Sequence, residues 1–168
     1  VTGVGSSGFT LQDATVANGV NAGIYAFTGS TPNVEIGDQV RVEGSTDDYF
    51  GELQLSNAVV TFLSAVTPVV PLDLRAADAA DEVYEGVLVR IVGGTVTNQT
   101  YDCSVDGSAC SDTDVWEIGG SSGVLVFDRL YEDADWVSQI GTLPVTGVMN
   151  WRWNRRRVMP RTSADFGP

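Results

Sequence analysis

The stretch "GSSGFTLQD" at residues 5–13 recurs in part as "GSSGVLVFD" at residues 120–128. A second echo follows each copy, "IGDQVRVEG" at 36–44 and "IGTLPVTG" at 140–147. Because both echoes keep the same order, the pattern predicts two copies of one five-stranded unit. The surrounding runs alternate between apolar and polar residues and end at Gly, Asn, Asp or Ser, which is typical of β-strands. We therefore predict an all-β protein.

The repeat also predicts the domain boundaries. Residues 1–66 form the first unit, 67–82 a proline-containing and mostly acidic linker, and 83–168 the second unit. A long first strand, "YEGVLVRIVGGTVT" at 84–97, opens the second unit, whereas Val1 and Thr2 match only its last residues, Val96 and Thr97. The first unit is therefore expected to lack much of its first strand. The open sheet edge near Val1 is a candidate site for self-association.

Composition and charge exclude several classes of function. The 168 residues carry a net charge of −13, all nine basic residues are arginine, and there is no histidine. Histidine-based catalytic triads and zinc sites are thus excluded within the chain, whereas catalysis by paired carboxylates stays open. The acidic surface opposes a polyanion. No apolar run reaches the length of a membrane helix, so we expect no membrane partner, and we predict a protein that is not an enzyme.

Two cysteines flank an acidic loop, "DCSVDGSACSD". Cys103 and Cys110 have no other cysteine to pair with, which predicts a loop disulfide and a secreted, extracellular protein. The carboxylates around them form a weak candidate calcium site, but the spacing differs from an EF-hand and a solvated acidic loop is the better interpretation. These carboxylates belong to Asp102, Asp106, Asp112 and Asp114. No other cofactor is predicted.

The most basic segment is "NWRWNRRRVMPR" at residues 150–161, which contains five of the nine arginines. If the hairpin turn lies at Asn154 and Arg155, both tryptophans share one face of the incoming strand. Aromatic platforms flanked by cations bind single-stranded nucleic acid, so this segment is a candidate site for nucleic acid or a protein partner. In the alternative interpretation, the arginines pair with carboxylates or stack on the indoles. The candidate residues are Trp151, Arg152, Trp153, Arg155, Arg156 and Arg157.

A second pair of aromatic residues belongs to the first unit. In "STDDYFGELQL", Tyr49 and Phe50 are predicted at a hairpin tip, where they could contact a base, a sugar or a protein. The neighbouring Asp47 and Asp48 oppose a polyanion, so a protein contact is the better functional interpretation. Packing within the hairpin is the simplest alternative.

These motifs carry a resemblance to a known family. "VTGVGSSGFTLQD", "AGIYAFTG", "IGDQVRVEGSTDDYFGELQL" and the C-terminal "VTGVMNWRWNRRRVMPRTSADF" resemble the OB-fold region of secreted bacterial nucleases and related surface proteins. That region lies beside an endonuclease/exonuclease/phosphatase catalytic domain. The resemblance implies two tandem OB-like Greek-key barrels, the first incomplete, and an extracellular setting. It does not carry over nuclease activity, since that catalytic domain needs histidines.

Two functions of different classes follow as hypotheses. The first is a non-catalytic accessory module of a secreted nuclease-like protein that contacts single-stranded nucleic acid. The second is a structural subunit of an extracellular filament, sheath or matrix, assembled by strand addition between chains. Whether the protein is a monomer or an assembly distinguishes them.

Overall fold

The computed structural model describes residues 1–98, 116–118, 124–131 and 144–167. The predicted all-β class is confirmed: two mixed sheets account for most of these residues. The first sheet has the strand order β1-β2-β3-β5-β4. Its strands are β1 (Gly3–Gly5), β2 (Gly8–Gln12), β3 (Gly23–Phe27), β4 (Asp38–Tyr49) and β5 (Glu52–Ala65). β3 and β5 are parallel, and the other neighbours are antiparallel.

The second sheet has the order β6-β7-β11-β12-β10-β9-β8. Its strands are β6 (Leu72–Leu74), β7 (Leu88–Val92), β8 (Val96–Asn98), β9 (Trp116–Ile118), β10 (Val124–Val126), β11 (Pro144–Arg152) and β12 (Arg155–Met159). β6–β7 and β10–β12 are parallel pairs. One short helix, α1 (Ala76–Ala79), and single 3-10 turns at Glu82–Tyr84 and Ser163–Asp165 complete the described elements.

The two sheets share a connection pattern that the repeat only partly predicted. β4 and β11 both begin in the second echo and both pair with the strand that follows them, as expected. The GSSG motifs, however, are not equivalent. Ser6 and Ser7 connect β1 to β2, whereas residues 120–123 lie between β9 and β10. The two copies of the motif therefore occupy different places in the strand order.

The predicted barrels do not close through backbone pairing. Neither sheet joins its two edge strands among the described residues, so the structure supports the all-β class without closed barrels. Within those residues β4 pairs with β5 alone, while β11, its counterpart, lies between β12 and β7. The predicted linker 67–82 contains β6 and α1. No described helix is long and apolar enough to cross a membrane.

The main core belongs to the second unit, and the first unit packs onto it. Val89, Ile91 and Val145 are completely buried in this core. In the first sheet, Phe9 and Ala26 face each other across β2 and β3 and are also fully buried. The opposite face of the same strands, with Tyr25, packs against the second unit. Strand alternation thus gives β2 and β3 one face toward the interior of their own unit and one toward the other unit.

Candidate functional site

Two hairpin tips, one from each unit, meet at the surface. Tyr49 is the last residue of β4 and Phe50 follows it in the turn; their rings meet edge to face with centroids 4.8 Å apart. The Phe50 carbonyl accepts a hydrogen bond of 2.7 Å from the Trp153 amide, and the two rings lie 5.9 Å apart. The segment predicted to bind nucleic acid is therefore in direct contact with the aromatic pair of the first unit.

The turn of the basic hairpin is one residue earlier than predicted. β11 ends at Arg152 and β12 begins at Arg155, so Trp153 and Asn154 form the turn. Both have positive φ, 51° and 57°, as a type I′ turn requires. Trp153 therefore does not extend the strand, and the expected row of two tryptophans on one strand face is wrong. Trp151 instead lies opposite Arg156 on the neighbouring strand.

Three arginines of this hairpin, Arg152, Arg156 and Arg157, stack on aromatic rings of the protein itself. Arg156 covers the indole of Trp151 and donates to the Ala80 carbonyl at 2.7 Å. Arg152 lies 4.4 Å from the Tyr49 ring and 4.1 Å from the Trp153 ring. Cation–π stacking of this kind stabilises a guanidinium over an aromatic face. We call these residues the aromatic–arginine cluster: Tyr49, Phe50, Trp151, Arg152, Trp153, Arg155, Arg156 and Arg157.

Several arginines of the cluster are partly or fully buried, and for two of them burial lowers the pKa. Arg157 is fully buried and contacts the faces of Phe127 and Trp153. Burial lowers the pKa of Arg152, and the neighbouring Arg129 guanidinium lowers it further. Burial also lowers the pKa of Arg156. The most exposed side chain of the two aromatic pairs is Phe50, at 58 %.

Beneath the cluster lies a buried carboxylate that the sequence analysis missed. Glu52, the first residue of β5, is 1 % exposed. Both of its oxygens accept from Arg129 Nη1 at 2.8 Å, and one also accepts from Asn150 Nδ2 at 2.7 Å. Arg152 lies 4.0 Å away, and Arg129 stacks on Tyr25. Residues of the second unit thus neutralise the buried carboxylate of the first unit. This ion pair links the two units.

A second acidic group lies at the same junction. Glu85 accepts a hydrogen bond of 3.2 Å from the Leu53 amide. Burial raises the pKa of Glu85 to about 7, and the neighbouring carboxylates of Glu52 and Glu82 contribute to the rise. The junction therefore contains a carboxyl group that titrates near neutral pH.

The first unit also has an open apolar groove. It measures about 700 Å³ and lies beside the unpaired edge of β4. Its apolar lining, which we call the groove face, includes Val1, Leu11, Ile24, Val40, Val66 and Pro68. The register of the hairpin places Phe62 opposite Val40, on the same strand face, and Phe62 is 59 % exposed. Apolar side chains that point toward the interior of the unit are therefore accessible to solvent.

Val1 marks one end of this groove. Its amino group donates to the Asp38 carbonyl at 2.6 Å, and its carbonyl accepts from the Gly37 amide at 3.1 Å. The chain thus runs up to the start of β4, and the remaining length of β4 has no second neighbour among the described strands.

Several sequence predictions fall outside the described residues. The predicted disulfide of Cys103 and Cys110 lies there, as does the calcium candidate formed by Asp102, Asp106, Asp112 and Asp114. Within the described part of the chain, no group of three or more acidic, cysteine or histidine residues is arranged to hold a metal ion.

Comparison with known proteins gives no match. No family model matches the chain, and neither a curated protein nor a solved structure matches it. The resemblance to the OB-fold region of secreted nucleases therefore remains a prediction from its sequence motifs.

Proposed function

We propose that the protein is a non-catalytic, extracellular structural subunit that assembles with other chains by strand addition at the edge of β4. The observation that carries this proposal is the unpaired β4 edge beside an apolar groove. An unpaired edge presents a row of free backbone donors and acceptors, which is a template for another strand. Main-chain hydrogen bonds then supply affinity, and pockets for alternate side chains supply specificity.

The proposal includes an OB-like architecture for both units. In the second sheet, β7 and β8 lie on opposite sides of the series β11-β12-β10-β9 and are consecutive in the chain, separated only by residues 93–95. A single bent first strand can therefore border both ends of the sheet, as in a five-stranded Greek-key barrel. The first sheet follows the same order, with β1 as the counterpart of β8. What it lacks among the described residues is a counterpart of β7.

The same comparison explains why the groove is apolar. In the second unit, β7 covers the edge of β11 and buries Val89 and Ile91 in the core. In the first unit, the groove face would make the equivalent contacts with an added strand. Burial of apolar surface contributes about 25 cal/mol per Å², so covering the groove face favours association.

The experiment is a comparison of two matched variants by size-exclusion chromatography with light scattering. Phe62→Lys places a charge beside the groove, on the strand face that Phe62 shares with Val40, whereas Val59→Lys makes the same kind of change on the other face of β5. The two side chains are similarly exposed, at 59 % and 63 %, so neither substitution removes a buried group. We expect the wild-type chain and Val59→Lys to form larger species as concentration rises, and Phe62→Lys to remain monomeric. A monomeric wild-type chain at all concentrations would overturn the proposed assembly.

A second candidate function is contact with single-stranded nucleic acid, in an accessory module of a nuclease-like protein. Its support is the partial exposure of Tyr49 and Phe50 beside the Arg152 guanidinium, since exposed aromatic rings near cations can stack on bases. Anisotropy of a labelled oligonucleotide at low and physiological salt tests this function. Salt-sensitive binding that is lost in Phe50→Ala would support it, and no binding at low salt would refute it.

A further inference from the structure

We propose that a cleft on the first sheet binds a neutral carbohydrate, through two aromatic rings and the planar polar side chains that line the same cleft. The cleft measures about 320 Å³, within the range of about 300–1,000 Å³ that small-molecule sites occupy. This site is separate from the edge of β4 and from the proposed assembly. Its lining includes Phe27, Asp47, Tyr49, Gln54, Ser56 and Asn57.

The strand pairing places these side chains on one face of the sheet. Gln54 in β5 pairs with Tyr25 in β3 and with Asp47 in β4. Because side chains alternate along a strand, Phe27 lies on the face of Tyr25, and Tyr49 lies on the face of Asp47. Tyr25 is buried beneath the second unit, whereas Phe27 and Tyr49 are 39 % and 41 % exposed. The face is thus covered at Tyr25 and open at the two aromatic residues.

The polar side chains of the cleft suit the hydroxyl groups of a sugar. Gln54 is 4 % exposed, and its Nε2 donates to Asp47 Oδ2 at 3.3 Å. Asn57 lines the cleft at a β-bulge of β5, with a φ of 53°. Bulges of this kind re-aim a side chain out of the regular alternation. A carboxylate accepts hydrogen bonds and an amide both donates and accepts, which matches hydroxyl groups that do both.

The two aromatic rings supply the apolar part of a sugar site. The C–H groups on one face of a sugar ring form an apolar surface, and the negative face of an aromatic ring attracts them. Phe27 and Tyr49 belong to β3 and β4, the two neighbours of β5. The second unit holds the Tyr49 ring, because the Arg152 guanidinium lies 4.4 Å from its centroid. The rings therefore stand on either side of the strand that carries Gln54.

Charge and backbone pairing disfavour other ligands in this cleft. Asp47 and the neighbouring Asp48 are carboxylates in a chain with a net charge of −13, so phosphate and other anions are repelled. The described lining contains no arginine that could offset this repulsion. Because β5 lies between β3 and β4, it offers no free edge to a peptide strand. A neutral ligand rich in hydroxyl groups fits these constraints best.

The experiment is an NMR titration of the isotopically labelled full chain with three neutral hexasaccharides, a β-1,4-glucan, an α-1,4-glucan and a β-1,4-mannan. A hexasaccharide of galacturonate is the anionic control. We expect at least one neutral probe to bind with a Kd of about 1 mM or tighter and to shift the side-chain amide signals of Gln54 and Asn57. The anionic probe should not bind. The proposal is overturned if no neutral probe reaches this affinity, if the shifts lie elsewhere, or if the anionic probe binds equally well.

Two variants of exposed residues test the contacts, and a third is their control. Phe27→Ala and Asp47→Asn should each weaken binding about tenfold, through loss of an aromatic contact or of a hydrogen bond to a charged group. Phe50→Ala removes an aromatic ring that does not line the cleft, so affinity should change less than about twofold. Equal losses in Phe27→Ala and Phe50→Ala would overturn the proposal.

A fourth variant separates this site from the proposed assembly. Phe62→Lys, which is expected to remain monomeric, should bind the neutral probe as tightly as the wild-type chain. Sugar binding by a wild-type chain that never associates would refute the assembly and leave the carbohydrate site standing. Association without binding of any neutral probe would overturn the carbohydrate site alone.

Discussion

Replacement of Glu52 by glutamine is the most informative test of how the two units are joined. The carboxylate accepts hydrogen bonds from Arg129 and Asn150 at 2.7–2.8 Å, and Arg152 lies 4.0 Å away. Glutamine keeps the shape but removes the charge and turns an NH₂ group toward a guanidinium. Loss of one partner from a buried ion pair costs about 3–5 kcal/mol. Because the Arg129 side chain retains 15 % exposure, we expect the lower end, about 3 kcal/mol.

The assay is denaturant unfolding at pH 7, and the control is Glu43→Gln. Glu43 forms an ion pair with Arg41 at 2.6 Å, but both side chains are more than 60 % exposed. Exposed pairs contribute about 0–1 kcal/mol, so the same chemical change should have little effect there. A loss of about 3 kcal/mol corresponds to a decrease in Tm of about 6–12 °C for a chain of this size. Equal effects of the two substitutions would refute the reasoning that burial of Glu52 stabilises the junction.

Three further substitutions test other contacts. Gly23→Ala should cost about 1–3 kcal/mol in denaturant unfolding, because a Cβ at Gly23 would collide with the backbone of Gly86. Asp165→Asn should cost about 1.5–3 kcal/mol in the same assay, since the nearly buried carboxylate accepts charge-assisted hydrogen bonds from Arg161. The raised pKa of Glu85 means that its ionisation opposes folding, so the free energy of unfolding should fall as pH rises from about 4.5 to about 7. Glu85→Gln should therefore stabilise the protein at pH 8 by about 1–2 kcal/mol, after allowance for solvent screening at this half-buried group. The same substitution should leave the free energy of unfolding at pH 4 unchanged. Denaturant unfolding of both proteins at the two pH values tests this, and an equal shift of the unfolding curve at pH 4 and pH 8 would contradict it.

The sequence was sufficient to predict the all-β class and the position of the first hairpin tip, because alternation and turn residues are local signals. Glu52 shows where such signals fail. In "GELQL", alternation predicts polar Glu52 and Gln54 toward solvent and Leu53 toward a core. The structure has the reverse: the two polar residues are buried and Leu53 is 51 % exposed. The polar face packs against the other unit, and no local pattern reports that contact.

The predicted position of the turn in the basic hairpin was wrong for a related reason. A tryptophan at positive φ is locally unfavourable, so no local signal favours a turn that contains Trp153. The contact of the Trp153 amide with the Phe50 carbonyl, which belongs to a distant part of the chain, accompanies the earlier turn.

Backbone hydrogen exchange of the chain at low and high protein concentration tests the central claim most directly. The account predicts that exchange slows at residues 40–44 of β4, where a new strand would pair with the open edge, and that the second unit is unchanged. Exchange that stays fast at 40–44 while the chain associates, or that slows instead at the aromatic–arginine cluster, would contradict the account.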